Sequence, residues 1–140
     1  MNKGNFLVIS IAILIVCACL SASVAADAQV SGLNSTSDFS SAVDLAKTQN
    51  KTIVLIFDQD SCVYCDILKE NTLTDSNLQN ELNNNYITVF VDINEDYDLA
   101  DKYQIYGTPS MVFIDYNGNE LGRIDGYVGA VEFLNELERI

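Results

Sequence analysis

The residues best suited to chemistry are two cysteines three positions apart, Cys62-Val63-Tyr64-Cys65, in a chain of 140 residues without a histidine. Spacing of i to i+3 brings both sulfurs to one side of a helical turn. The first turn of a helix carries unpaired N–H groups and the positive end of the helix dipole, and both favour an anion. Cys62, nearest that end, is the expected thiolate, and Cys65, one turn deeper, the resolving thiol. The implied chemistry is thiol–disulfide exchange through a mixed disulfide. Two plainer roles compete. A structural disulfide across so short a loop removes little entropy from the unfolded chain. A zinc site needs two more soft ligands, and after Ala26 the chain has no further cysteine and no histidine. The missing histidine also removes Ser-His and Cys-His pairs, leaving proton transfer to carboxylates or water. No cofactor is implied.

Such a pair needs a rigid seat. Before it, Thr52-Ile53-Val54-Leu55-Ile56-Phe57 is a continuous β-branched and apolar run, the pattern of a strand buried on both faces. Asp58 to Ser61 is polar, and helical spacing resumes from Cys65 to Asn71. Ser37 is the expected cap of a helix over Asp38–Gln49 with Phe39, Ala42, Val43 and Ala46 on one face. A helix from Thr74-Asp75-Ser76 to about Asn83 uses Leu78 and Leu82, and a strand covers Tyr86–Ile93. A helix over Asp96–Tyr103 uses Leu99 and Ala100. After Gly107-Thr108-Pro109 comes a strand over Ser110–Asp115. Asn117-Gly118 signals a hairpin, with a return strand over Leu121–Asp125. The last helix carries Val131, Leu134 and Leu137, and Asp27–Ser35 reads as a leader or short edge strand. Strands alternating with helices and ending in a hairpin predict an α/β fold, a central mixed sheet flanked by helices on both faces.

Residues 1–26 stand apart. Lys3 is the only charge before Asp27, Phe6–Leu20 is almost wholly apolar, and small residues Ser21–Ala26 follow. This predicts a signal peptide, cleaved after Ala26 or Ala28, with an N-terminal membrane anchor through residues 6–26 as the alternative. Cys19 after Val16-Cys17-Ala18 matches a lipoprotein processing site poorly. Residues 27–140 then form the domain, in an extracytoplasmic setting that permits disulfides. Asn34-Ser35-Thr36 and Asn50-Lys51-Thr52 are glycosylation sequons, relevant only in a host that glycosylates exported proteins.

The strand Thr52–Phe57, the site Ser61–Cys65, Gly107-Thr108-Pro109, and the Asn117-Gly118 hairpin followed by Gly126 together resemble a thioredoxin-like fold over nearly all of residues 27–140. The run Leu68, Glu70, Thr72, Asp75 and Leu78 after the pair is similar to exported thioredoxin-like proteins and to the C-terminal domain of membrane thiol–disulfide interchange proteins. The resemblance implies that Thr108–Pro109, with the only proline in the chain, is cis and packs beside the cysteines. Pro109 thus joins the catalytic set, and the surface around Tyr64 and Thr108 governs partner choice. Tyr64 and Tyr127 are candidates for a flat surface under an extended substrate, with core packing the competing role. The sequence departs from cytosolic thioredoxin in three places. Ser61 replaces a tryptophan, Val63-Tyr64 replaces Gly-Pro, and Ile56 replaces a buried aspartate whose lysine partner falls near Phe90. Asp58, two residues on and on the same strand face as Ile56, is the candidate proton acceptor for Cys65, against the alternative of a solvated loop carboxylate.

Charge sets the last expectations. Twenty acidic residues against seven basic ones give −13, which argues against nucleic acid as a partner. Asp58, Asp60 and Asp66 flank the pair, and carboxylates disfavour a thiolate. A less stabilised thiolate makes a less oxidising disulfide, so a reductase or electron carrier is expected rather than a strong oxidase. The expected partners are protein thiol or disulfide substrates, apocytochrome or copper-protein thiols among them, and an upstream electron donor, with the protein a monomer. A disulfide isomerase and a non-catalytic thioredoxin-fold binding module are the alternatives.

Overall fold

The computed structural model describes residues 29–140. The predicted signal segment, with Cys17 and Cys19, lies outside the described residues. The elements in chain order are β1 (Ser35–Thr36), α1 (Phe39–Gln49), β2 (Thr52–Asp58), α2 (Val63–Ile67), α3 (Ser76–Asn85), β3 (Tyr86–Asp92), α4 (Tyr97–Lys102), β4 (Ser110–Ile114), β5 (Glu120–Asp125) and α5 (Ala130–Leu137). A π-helical turn, Leu68–Thr72, prolongs α2.

The five strands lie in the order β1-β3-β2-β4-β5. β2 is central, parallel to β3 and antiparallel to β4. Its residues Ile53–Asp58 are all buried, as a strand with helices on both faces requires. Alternate side chains go to opposite cores. Val54 and Ile56 join Phe90, Met111 and Phe113 under Leu68, Leu78, Leu82 and Phe133. Ile53, Leu55 and Phe57 join Val89, Val91 and Val112 under Ala42, Ala46, Leu99 and Ala100. The mixed sheet with helices on both faces is as the strand and helix pattern predicts.

Register decides what meets at each end. Asp58 pairs with Asp92, Phe57 with Ser110, and Ser110 with Asp125. The end of β2, the start of β4 and the end of β5 therefore share one edge of the molecule. The β4–β5 connection lies at the other.

Four local expectations are corrected. Asp38, not Ser37, caps α1, because its carboxylate accepts the Ser41 N–H at 3.1 Å. Asp58 ends β2 rather than opening a polar loop. The return strand β5 begins at Glu120 rather than Leu121, because Asp115 accepts the backbone N–H groups of Asn117 and Asn119 and so closes the turn one residue earlier. On α5, Val131 is exposed, and Phe133 and Leu137, four apart, make the buried face.

Candidate active site

The turn out of β2 brings Cys62 to the cap of α2. Ser61 has φ +62°, a left-handed conformation uncommon outside glycine. It turns the chain sharply from the buried strand into the helix. Cys62 is the N-cap, and its Sγ accepts the Cys65 N–H at 3.2 Å. The Cys62 carbonyl accepts from the Cys65 and Asp66 amides at 3.0 and 3.1 Å. The cap thus aims an amide dipole at the first sulfur, as the spacing requires. Cys62 and Cys65 form a disulfide with Cα atoms 5.2 Å apart. Cys65 is the more enclosed, at 2% exposure against 8% for Cys62.

The segment Gly107-Thr108-Pro109 closes over the pair. The Thr108–Pro109 bond is cis. The Thr108 hydroxyl lies 3.4 Å from Cys62 Sγ, positioned to donate to it. Pro109 offers its carbonyl to the Gly126 N–H at 2.9 Å, and Gly126, at φ +88°, turns the chain toward Tyr127. Tyr127 and Tyr64 have ring centroids 6.4 Å apart with a 32° interplanar angle. Both rings stay exposed, so the competing role of core packing does not hold for them. A groove of about 340 Å³ runs from the cis-proline segment past Tyr106, Arg123 and Gly126.

Asp58 lies below, 8% exposed, and so is not a solvated loop carboxylate. It forms an ion pair with Lys69, whose ammonium also sits 5.5 Å from the centroid of the Phe90 ring. Asp58 and Lys69 thus form an Asp–Lys pair at the end of β2, in a chain that has Ile56 and Phe90 at the strand positions where the resemblance leads one to expect such a pair, and Lys69 is partly exposed. Sequence reasoning missed this partnership. No local signal marks it, because the pairing depends on where the helix after Cys65 lies over β2. The pairing changes the charge argument, for Asp58 is compensated, while among the described residues Asp60 and Asp66 beside the cysteines have no ion-pair partner. A polar recess of about 280 Å³ lies between them, lined also by Asp92 and Glu95. The structure therefore gathers Cys62, Cys65, Thr108 and Pro109 at one end of β2, with Asp58 beneath and Tyr64 and Tyr127 alongside.

Comparison with known proteins agrees with this arrangement. A family model described as a thioredoxin-like domain matches residues 39–140. The thiol:disulfide interchange protein DsbD of Yersinia pestis is 31% identical over 99 residues, which are 67% of this chain and 17% of the relative. The chain thus spans about a sixth of the length of the curated relatives it matches. Among solved structures, a thioredoxin from Thermus thermophilus aligns with a TM-score of 0.66 and 28% identity, over 72% of this chain and 82% of that one. The oxidised C-terminal domain of DsbD from Neisseria meningitidis aligns with a TM-score of 0.60, over 71% of this chain and 90% of that one, and at 22% identity it supports the fold. With a disulfide-bonded Cys-x-x-Cys capping the helix after a central strand, opposite a cis-proline, the chain belongs to the thioredoxin-like domain family.

Proposed function

We propose that the protein is an extracytoplasmic reductase or electron carrier that acts on polypeptide disulfides through Cys62 and Cys65. The observation that carries the reading is the cap itself. The Cys65 amide and the Thr108 hydroxyl both approach Cys62 Sγ, at 3.2 and 3.4 Å, while Cys65 is enclosed behind it. Two donors on one sulfur mark Cys62 as the attacking thiolate, while the carboxylates of Asp60 and Asp66 beside the pair oppose a strongly stabilised thiolate and so favour the reducing direction.

The reductive half-reaction follows. In the dithiol form the Cys62 thiolate attacks one sulfur of the substrate disulfide. The substrate S–S bond breaks, a Cys62–substrate S–S bond forms, and the leaving thiolate takes a proton. Cys65 then loses its proton and attacks Cys62 Sγ, releasing the second substrate thiolate and closing the Cys62–Cys65 disulfide. Two electrons and two protons pass to the substrate, and an upstream dithiol restores the protein by the reverse exchange. Asp58, buried beneath the helix that carries Cys65, is the group we assign to take the Cys65 proton, directly or through one water. Pro109 shapes the segment that holds Thr108 over the pair, and Tyr64 and Thr108 contact the substrate chain. An apolar run in residues 6–20 supports export, and the segment serves as signal or anchor for the domain of residues 27–140.

The test is a dithiol-driven disulfide reduction assay with a redox titration. The reading expects turnover, a reduction potential nearer thioredoxin's about −270 mV than a strong oxidant's about −120 mV, and mixed disulfides trapped by Cys65→Ser in the cell envelope. A potential near the oxidant value would overturn the reductase assignment. Binding of partners without any need for Cys62 would favour a thioredoxin-fold binding module. Asp58→Asn should slow resolution of the mixed disulfide wherever the Cys65 thiol is still protonated and the native carboxylate is ionised, and a rate unchanged across pH would remove Asp58 from the mechanism.

A further inference from the structure

Tyr127 sits on residues 126–129, the turn between β5 and α5, and little holds that turn from within. Gly126 and Gly129 have open space where a Cβ would stand, and Gly129 caps α5 without a side-chain hydrogen bond. Two anchors come from elsewhere. One is the Gly126 N–H on the Pro109 carbonyl. The other is the Thr72 hydroxyl, which donates to the Val128 carbonyl at 2.8 Å across 56 residues of sequence.

Thr72 is 1% exposed and ends the π-helical turn that follows the cysteine helix, where the Leu73 N–H reaches back five residues to the Leu68 carbonyl. A helical threonine usually returns its hydroxyl to a carbonyl of its own helix. Thr48 does so here, to Asp44, and Thr74, in the turn after the π-helical segment, likewise bonds back to Glu70. Thr72 reaches across to a different segment. The Tyr127 turn is thereby fixed at one end to the cis-proline segment and at the other to the helix bearing Cys65, with Tyr127 between the two anchors and its ring beside Tyr64.

We propose that Thr72 is a positioning residue for substrate selection. Its hydroxyl sets the Tyr127 turn so that Tyr64 and Tyr127 present one apolar platform, and that platform favours polypeptide disulfides bearing an apolar side chain over small soluble disulfides. The inference rests on Cys62–Cys65 being the redox centre, as proposed above. Thr72 touches neither sulfur, so its removal alters substrate binding and leaves the exchange chemistry alone.

The experiment compares the full chain with Thr72→Val, Thr72→Ser and Tyr127→Ala, using insulin as the polypeptide substrate and hydroxyethyl disulfide as the small one. Valine keeps the shape and removes the donor, and serine keeps the donor. Thr72→Val should raise KM for insulin about five-fold, the equivalent of one released hydrogen bond, with kcat for hydroxyethyl disulfide and the reduction potential unchanged. Thr72→Ser should restore the native KM. Tyr127→Ala should match Thr72→Val, and the double variant should add little to either. An unchanged insulin KM in Thr72→Val, or an equal loss on both substrates, overturns the inference. If Thr72→Val does not fold, Tyr127→Ala decides alone, since an unchanged insulin KM there removes the platform. Failure of the redox assignment is distinct, because the native chain would then turn over neither substrate.

Discussion

The two ends of the sheet are built on different plans. At the hairpin end, Asp115 accepts the backbone N–H groups of Asn117 and Asn119 at 2.8 and 2.9 Å and the Asn119 side chain at 2.8 Å. Every partner lies within four residues. At the cysteine end, Thr108 meets Cys62 across 46 residues and Thr72 meets Val128 across 56. Asp58 meets Lys69, and Gly126 meets Pro109. The hairpin end is made mostly by neighbours in sequence, with the Tyr103 hydroxyl donating to the Gly118 carbonyl across 15 residues, while the other exists only once strand register has brought four segments together. The end with the chemistry is the non-local one, because a sulfur that must be both accessible and precisely flanked needs neighbours from several directions.

That contrast predicts separable effects. The largest is Cys62→Ser, which should abolish turnover while the melting temperature stays close to that of the dithiol protein. An equal loss of stability would mean that the pair is chiefly structural. Next is Lys69→Met, which leaves Asp58 buried without its partner. With Lys69 partly exposed, about 1–2 kcal/mol of stability is expected to be lost, measured by urea denaturation, together with slower resolution of the mixed disulfide. A stability loss without a kinetic one would detach the ion pair from the chemistry. At the hairpin end, Gly118→Ala should cost about 1 kcal/mol, because Gly118 has φ +84° and an added Cβ would stand 3.0 Å from Lys102 Nζ. Turnover should be untouched, and a change in kcat would show the two ends to be coupled.

The smallest effect is a pH dependence. The Asn119 side chain first, and then the Asn119 backbone N–H, hold the Asp115 carboxyl below the usual carboxylate range. A lowered carboxylate contributes stability that is complete above its ordinary value and is lost as pH falls through the lowered one. Asp115→Asn should therefore flatten part of the acid limb of the stability curve, read by thermal melts from neutral pH downward. An unaltered limb would mean that the hairpin hydrogen bonds do not contribute to stability.

The same contrast explains what was legible from the amino-acid order. β2 was plain from six consecutive apolar or β-branched residues, and the paired faces of α1 and α3 from Ala42 and Ala46 and from Leu78 and Leu82. Cys62 and Cys65 declared themselves by spacing, and the cis geometry at Pro109 by family resemblance. Val131 misled because the apolar spacing of α5 allowed two faces, and only the position of its first turn selects Phe133. Asp58 and Lys69 were each visible, yet their pairing depends on where the helix after Cys65 lies over β2. Thr72 gave no local sign at all, since a threonine in a helix announces nothing about a carbonyl 56 residues away.

The placement of β2 in the middle of the sheet has a consequence for motion. Amides of a central strand, paired on both sides and buried on both faces, exchange with solvent only when the whole domain opens, whereas turns exchange through local excursions. The disulfide therefore follows directly on the strand expected to exchange slowest, while the Tyr127 turn is expected to exchange faster. Partners of different shape meet sulfurs whose position is set by global stability, beside a surface that can adjust without unseating them.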